Sequence, residues 1–287
     1  MNGETGDMER AKEIIHAENV YRKGYTGNGV RIALLDTGVF SHRDLKCKIV
    51  LFKDYINYKK LSYDDNGHGT HIAGILSEMA PQAELLVFKI LDKNGNGTTE
   101  TALTALDWIE RNHKKWNIKL LNFSMGYLPN TKAIMQKKLV EKLENLWEDG
   151  VTIVTAAGNN GPRENTITVP GVSRKVITVG SCDDMEDGNG SYGGRGPTSC
   201  CIVKPEVLAP GTNIRSLSLK DGEYVQKSGT SMAAPIVCGA LALALEKDPN
   251  LRPVELKLLL YDSVSEKIKN FSPAWGILNV DNLIKML

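Results

Sequence analysis

Short apolar runs rich in β-branched residues alternate along the chain with longer segments of helical periodicity. The short runs predict buried strands, and the longer segments predict helices because apolar residues recur in them at i, i+3 and i+4. The predicted strands cover residues 30–36, 84–91, 119–126, 151–158 and 176–181. The predicted helices cover residues 99–114 and 133–150. Strands separated by helices of this length predict right-handed crossovers and a mainly parallel α/β sheet.

Length and composition fit one globular domain. The chain has 287 residues, of which 41% are hydrophobic and 24% are charged, which is ordinary for a folded domain of this size. No internal repeat or low-complexity linker divides it. We therefore expect one domain over residues 1–287, with about residues 1–24 as an N-terminal extension.

The charge balance argues against two classes of partner. The formal net charge is +1, so the chain has no excess positive field for nucleic acid or an anionic membrane. No apolar run is expected to reach the roughly 18 residues of a membrane span. The polar N-terminus lacks the apolar core of a signal peptide. We expect neither nucleic acid nor membrane as a partner.

Cysteine usage indicates a reducing compartment. Five cysteines cannot all pair, and two of them are adjacent in sequence, so we expect reduced thiols and a cytoplasmic protein. The alternative is the mature form of a secreted protein whose signal peptide and prodomain have been removed. The cysteines are Cys47, Cys182, Cys200, Cys201 and Cys238.

Candidate chemistry begins with "RIALLDTGVF", residues 31–40. Asp-Thr-Gly after an apolar strand is found in aspartic proteases, which share a proton between two such carboxylates. The chain has no second such triplet, and a half-site dimer is a poor match for an α/β chain of this length. Asp36 instead ends a predicted parallel strand, where α/β sheets place functional side chains.

Two further stretches supply partners for Asp36. "DDNGHGTHIAGIL" (64–76) places His68 before a helical run, and "KSGTSMAAPIVCGALALALEK" (227–247) places Ser231 at the start of another. A buried carboxylate can orient an imidazole, which then takes the proton of a serine hydroxyl. The order Asp, His, Ser is one of three known chain orders for this chemistry.

Small residues around Ser231 suit an oxyanion site. Gly229 permits close approach of a substrate backbone, and a helix N-terminus offers unpaired N–H groups. Pro235 is expected in about the first turn, where its missing N–H matters little. "TAAGNNGP" (155–162) offers Asn159 as a second oxyanion donor.

Together these motifs resemble the subtilase family of subtilisin-like serine proteases. The resemblance rests on "DTGV", "HGTHIAG", "AAGNNG" and "GTSMAAP" in order, and it extends from "GYTGNG" to "WGILNVDNLI". It implies a three-layer α/β fold and a serine endopeptidase acting through an acyl-enzyme. Asp36 would orient His68, His68 would carry the proton, Ser231 would attack, and Asn159 would bind the oxyanion.

The resemblance also implies a substrate groove. The peptide would lie as an extra strand between residues 94–99 and residues 122–127. The pocket for the residue before the scissile bond would have Thr168 near its floor, which makes it shallow, and a pocket farther upstream would be open. The expected substrate-binding residues are Gly97, Thr99, Ala102, Ser124, Met125, Gly126, Ala157, Gly158 and Thr168.

No metal or other cofactor is expected. His68 and His71 form an H-x-x-H pair, but no third zinc ligand accompanies them, and the family pattern makes His71 a structural partner. Many secreted relatives hold a tight calcium ion in an insertion after the histidine helix, and "HIAGILSEMAPQAELLVFKIL" lacks that insertion. A weaker calcium site elsewhere is left open.

Two other functions fit the same scaffold. A transpeptidase or macrocyclase would use an amine in place of water, although no insertion long enough to cover the primed side is present. A pseudoprotease binding module would commonly have lost a triad residue, and none is lost here. The sequence names neither the physiological substrate nor the oligomeric state, and general turnover and processing of one precursor both fit.

Overall fold

The structure is a computed structural model that describes residues 7–129, 133–184, 191–265 and 274–287. The strands within these ranges are β1 (Arg31–Asp36), β2 (Lys48–Asp54), β3 (Glu84–Lys89), β4 (Ile118–Phe123), β5 (Thr152–Ala156), β6 (Ile177–Ser181), β7 (Val207–Ala209), β8 (Ile214–Leu217) and β9 (Tyr224–Lys227). The helices are α1 (Asp7–Ile14), α2 (Glu18–Arg22), α3 (His68–Met79), α4 (Thr99–Trp116), α5 (Ile134–Glu148), α6 (Thr230–Lys247), α7 (Pro253–Ser263) and α8 (Val280–Lys285).

A parallel sheet forms the centre of the molecule. Seven strands pair in the order β2-β3-β1-β4-β5-β6-β7, and each neighbouring pair is parallel. Helices flank it, with α3 packed on α6 and α4 packed on α5. The predicted three-layer α/β fold is confirmed. β8 and β9 form a separate antiparallel hairpin.

The central strands contain almost only buried residues because a parallel sheet is covered on both faces. From Ile32 to Asp36 every residue of β1 is buried, and β5 and β6 are buried throughout. β4 and β5 end at Phe123 and Ala156, two to three residues earlier than predicted. The small residues that follow leave the sheet at its carboxyl edge, where they contribute to the candidate site.

Helix α6 corrects two expectations. It is 18 residues long with a mean hydropathy of 1.3, so by length and composition it could span a membrane. However, 83% of it is buried inside the protein, so it occupies the position of a core helix. Pro235 is its sixth residue, beyond the expected first turn. The proline ring has no N–H to donate to the carbonyl of Ser231, so that helical hydrogen bond is missing.

Two lysine ammonium groups, one buried and one half-buried, lie at the edge of the sheet beside β7. Lys204 is fully buried, and its Nζ donates to Glu206 Oε1 at 2.6 Å and to Thr178 Oγ1 at 3.0 Å. Lys257 donates to the same Glu206 oxygen at 2.8 Å and to all three carbonyls of residues 174–176. Burial lowers the pKa of Lys204 to about 8, although Glu206 partly opposes this. We call this group the lysine–glutamate cluster.

All five cysteines lie within the described residues, and no disulfide joins them there. Cys47 and Cys238 are buried, and Cys200 and Cys201 are exposed. Burial raises the pKa of the Cys47 thiol to about 12, so this thiol stays protonated and unreactive at neutral pH. The remaining thiol, Cys182, is half-buried.

Candidate active site

Asp36 and His68 form a hydrogen-bonded pair at the carboxyl edge of the sheet. Asp36 is the last residue of β1 and is fully buried. The Nδ1–H of His68 donates to its carboxylate, with Nδ1 2.8 Å from Oδ1 and 2.9 Å from Oδ2. The Asp36 carboxylate also accepts the N–H of Thr37 at 2.7 Å. Since Nδ1 carries the proton, Nε2 of the neutral imidazole is a proton acceptor.

The protonation of His68 reflects opposing influences. Burial lowers the pKa of His68, whereas the charge of Asp36 and its hydrogen bond raise it, and Lys227 lowers it again. The balance lies above the ordinary value of 6.5. A raised pKa makes the imidazole a stronger proton acceptor, which suits a general base.

The turn before His68 is held by a second carboxylate. Asp64 Oδ1 accepts from the N–H groups of Asn66 and Gly67, and its Oδ2 accepts from the N–H and hydroxyl of Thr70. Burial raises the pKa of Asp64, but these hydrogen bonds lower it by more. The ionised carboxylate therefore fixes the first turn of α3, which begins at His68.

His71 connects α3 to the β8–β9 hairpin. Its Nε2–H donates to the carbonyls of Ile214 at 3.0 Å and Val225 at 3.1 Å. Burial is the main cause that lowers its pKa to about 3, so the ring is neutral. Within the described ranges no group of three or more His, Cys, Asp and Glu side chains could hold a metal ion.

Ser231 lies at the entrance of α6, as its second residue. Its Oγ donates to the carbonyl of Ser124 at 3.0 Å. Among the described residues it makes no hydrogen bond with His68. In substrate-free enzymes such contacts are often long and tighten only when substrate binds. Ser231 and Ser124 were both predicted as site residues, and the structure brings them together.

Asn159 is oriented by the first residue of α6. Its Oδ1 accepts from the N–H of Thr230 at 3.0 Å and from the Thr230 hydroxyl at 3.1 Å. Because a backbone N–H can only donate, the other amide atom must be the Nδ2 donor. A Cβ added at Gly229 would lie 2.9 Å from this nitrogen. The donor therefore lies against the glycine that precedes the Thr230–Ser231 pair.

Thr168 lies between two of the predicted pocket residues. A Cβ at Gly126 would come within 2.2 Å of its Oγ1, and a Cβ at Gly158 would come within 2.4 Å of its Cγ2. Its N–H and hydroxyl donate to the carbonyl of Ala157 at 3.0 and 3.3 Å. Only glycine fits on either side of this side chain, so Thr168 is packed directly between Gly126 and Gly158.

The remaining predicted substrate residues differ in exposure. Gly97, Thr99 and Met125 are half-buried and Gly126 is exposed, so these residues are accessible to a peptide. Ala102 and Ala157 are fully buried. Their side chains lie beneath the surface, so a substrate would contact the residues that cover them and not these side chains themselves.

Two lysines near the site were missed. Lys89 is fully buried at the end of β3, in a run that the sequence predicted as an apolar strand. Lys227 is half-buried four residues before Ser231, and burial is the first cause of its lowered pKa. A single charge inside an apolar strand was the available signal for Lys89; nothing in the sequence distinguished Lys227 from a solvated lysine.

An aspartate at the end of a parallel strand, hydrogen-bonded to a histidine at the start of one helix, with a serine at the start of a second, buried helix, is typical of a serine protease. The family model described as the subtilase family matches residues 27–276. The chain belongs to the subtilase family.

Comparisons with individual proteins support this family assignment. The serine protease AprX of Bacillus subtilis is 37% identical over 96% of this chain and 71% of its own length. Subtilisin DY of Bacillus licheniformis is 30% identical over 93% of this chain and 95% of its own. The crystal structure of a cold-adapted subtilisin-like serine proteinase superimposes with a TM-score of 0.74 at 30% identity, covering 90% of both chains.

Proposed function

We propose that this chain is a serine endopeptidase in which Ser231 is the nucleophile, His68 the general base and Asp36 the residue that orients it. The observation that carries the proposal is the Asp36–His68 pair. Both carboxylate oxygens lie within 2.9 Å of Nδ1, and this fixes the tautomer that leaves Nε2 free to accept a proton.

The proposed reaction proceeds in two halves. Ser231 Oγ attacks the scissile carbonyl carbon while its proton moves to His68 Nε2, and Asp36 stabilises the imidazolium that results. The proton then passes to the leaving amine, which departs and leaves an ester on Ser231. Water, deprotonated by His68, hydrolyses that ester in the second half and restores the enzyme.

Two N–H donors are proposed to bind the oxyanion. The Ser231 N–H lies in the first turn of α6, so it has no intrahelical acceptor, and the helix dipole favours negative charge there. Asn159 Nδ2 is the second donor, and its orientation is fixed by Thr230. Donors positioned before the reaction stabilise developing charge without having to reorganise.

The proposed substrate is an extended peptide or protein segment. It would lie between residues 94–99 and residues 122–127, with the side chain before the scissile bond entering the pocket over Thr168. Because Thr168 fills the space between Gly126 and Gly158, we expect a preference for small side chains at that position. Cleavage of a library of peptides, read by mass spectrometry, tests this preference.

Covalent labelling tests the proposal directly. A fluorophosphonate should add once to the native chain, at Ser231, and intact-mass detection should find no adduct on Ser231→Ala. An unlabelled wild-type chain would favour a pseudoprotease. Labelling together with aminolysis that outpaces hydrolysis in a peptide assay would favour a transpeptidase or macrocyclase.

A further inference from the structure

A buried lysine beneath the Asp36 turn has no role in the reaction proposed above. Lys89 is fully buried and is the register partner of Asp36 on the neighbouring strand. Its Nζ donates to the carbonyl of Thr37 at 2.6 Å, to Asp65 Oδ1 at 2.7 Å and to the carbonyl of Leu91 at 2.9 Å. All three ammonium hydrogens are therefore used.

The three acceptors belong to three different segments of the candidate site. Thr37 directly follows Asp36, and Asp65 lies three residues before His68. Leu91 leads from β3 into residues 94–99, the expected substrate edge. One ammonium group thus joins the segments that carry the acid, the base and the substrate-binding strand.

A neighbouring side chain makes a parallel link. Asn66 Oδ1 accepts the N–H of His68 at 3.1 Å, and Asn66 Nδ2 donates to the carbonyl of Lys93 at 3.1 Å. The segment before His68 is therefore attached to the substrate edge twice, once through Asn66 and once through Asp65 and Lys89. Two attachments define an orientation, whereas one would permit rotation.

Local packing leaves little freedom to the lysine. A Cβ at Gly38 would lie 3.4 Å from Lys89 Cδ, and the Nζ lies 5.0 Å from the centroid of the Tyr63 ring. A buried ammonium is costly unless it is paired and hydrogen-bonded. An apolar side chain would fill this space with less desolvation, but it could not hold two carbonyls and a carboxylate together.

We propose that Lys89 is a positioning residue that keeps Asp36, His68 and the substrate edge in register for acyl transfer. The inference rests on the proposed function, because it concerns the same base and acid. Displacements of about 1 Å in a catalytic constellation can reduce turnover on the order of a hundredfold. Loss of the Lys89 ammonium should therefore act on kcat more than on KM.

The chain offers a matched control for the test. Lys204 is also fully buried, is also paired with a carboxylate and also makes three hydrogen bonds. Its acceptors, however, belong to the lysine–glutamate cluster and to no site segment. Lys89→Met and Lys204→Met remove the same chemical group, so a cost that is only structural should affect both alike.

For Lys89→Met we expect kcat on a peptide amide to fall by about 10- to 100-fold with KM changed less than about threefold. For Lys204→Met we expect both constants within about threefold of wild type at a temperature where each variant is folded. Equal kcat values for the two variants would overturn the positioning role.

A spectroscopic readout separates this inference from the proposed function. In the wild-type chain the Nδ1–H proton of His68, shared with Asp36, should give a strongly deshielded NMR resonance. We expect it to broaden or move upfield in Lys89→Met and to be unchanged in Lys204→Met. This readout needs no turnover, whereas fluorophosphonate labelling of wild type tests the nucleophile alone. An unchanged resonance in Lys89→Met would contradict the inference even if labelling succeeds.

Asp65 provides a second pair of variants if Lys89→Met does not fold. Its side chain is 36% exposed, so substitution there disturbs the core little. Asp65→Asn keeps an oxygen acceptor for Lys89 and should hold kcat within about threefold of wild type, and Asp65→Ala should lose about tenfold. Equal kcat values for these two variants would refute a role for the Lys89–Asp65 hydrogen bond.

Discussion

Asn159 gives the sharpest test of the proposed oxyanion site. Asn159→Ala removes the Nδ2 donor and leaves the Ser231 N–H in place. Loss of one such donor costs about 10²–10³ in kcat, or about 2.7–4 kcal/mol of transition-state stabilisation. The ground-state carbonyl gains little from this donor, so KM should change much less than kcat.

Thr230 allows the same donor to be perturbed indirectly. Thr230→Val keeps the shape of the side chain but removes the hydroxyl that donates to Asn159 Oδ1 at 3.1 Å and accepts from the Gly158 N–H at 3.0 Å. The Thr230 N–H, at 3.0 Å, still holds the amide. Loss of one neutral hydrogen bond is worth about 1 kcal/mol, so kcat should fall by about fivefold.

The double variant decides whether the two residues act as one unit. If Thr230 acts through Asn159, Thr230→Val should cost almost nothing further in the Asn159→Ala background. The assay is steady-state hydrolysis of a chromogenic peptide amide, with kcat and KM determined separately and active sites counted by fluorophosphonate titration. A kcat loss below about tenfold in Asn159→Ala, outside the usual range for such a donor, would refute the oxyanion assignment. Fully multiplicative effects would refute the coupling.

Four further outcomes are expected. Activity should fall at low pH as His68 takes up a proton. Lys227→Met removes a cation that lowers the pKa of His68, so it should move the acid limb of the kcat/KM profile to higher pH. A shift of that limb to lower pH would contradict this. Thr168→Gly should raise kcat/KM for a large side chain before the scissile bond, relative to alanine, by roughly tenfold, and an unchanged ratio would place the pocket elsewhere. Chelator should lower the Tm of Ser231→Ala by less than ~5 °C, and a much larger fall would reveal a structural cation. Thiol titration of the unfolded, unreduced chain should find five thiols, and three or fewer would indicate a disulfide.

The sheet was largely predictable because the strands of a parallel sheet are buried on both faces and therefore appear in the sequence as continuous apolar runs. β1 and β3 begin within a residue of their predicted starts. The edge strand β2 was missed although residues 49–52 are a four-residue apolar run; its residues are mostly half-buried, as expected at a sheet edge. The β8–β9 hairpin was also missed, although Asp221-Gly222 in its loop, with Gly222 at φ +80°, is a recognisable turn signal.

The candidate site was predictable where a short motif carries the chemistry. Asp36, His68, Asn159 and Ser231 each occur in such a motif. The structure pairs Asp36 with His68 and Asn159 with Thr230, whereas Ser231 donates to the carbonyl of Ser124. Lys89 could not be found in this way. Its importance depends on three oxygen atoms from segments distant in sequence, and a strand pattern does not show which carbonyls will surround a side chain.

The lysine–glutamate cluster affects how the stability of the fold depends on the concentration of free ions. Backbone carbonyls and a carboxylate are the oxygen ligands that hard metal cations use. In this cluster they bind the ammonium groups of Lys204 and Lys257, which are covalently part of the chain. A bound ion stabilises a fold only in proportion to RT ln(1 + [L]/Kd), so dilution weakens it. A tethered ammonium has a local concentration set by the chain itself. This end of the sheet therefore keeps its counter-charge at any concentration of free ions, and only a change in pH can remove it.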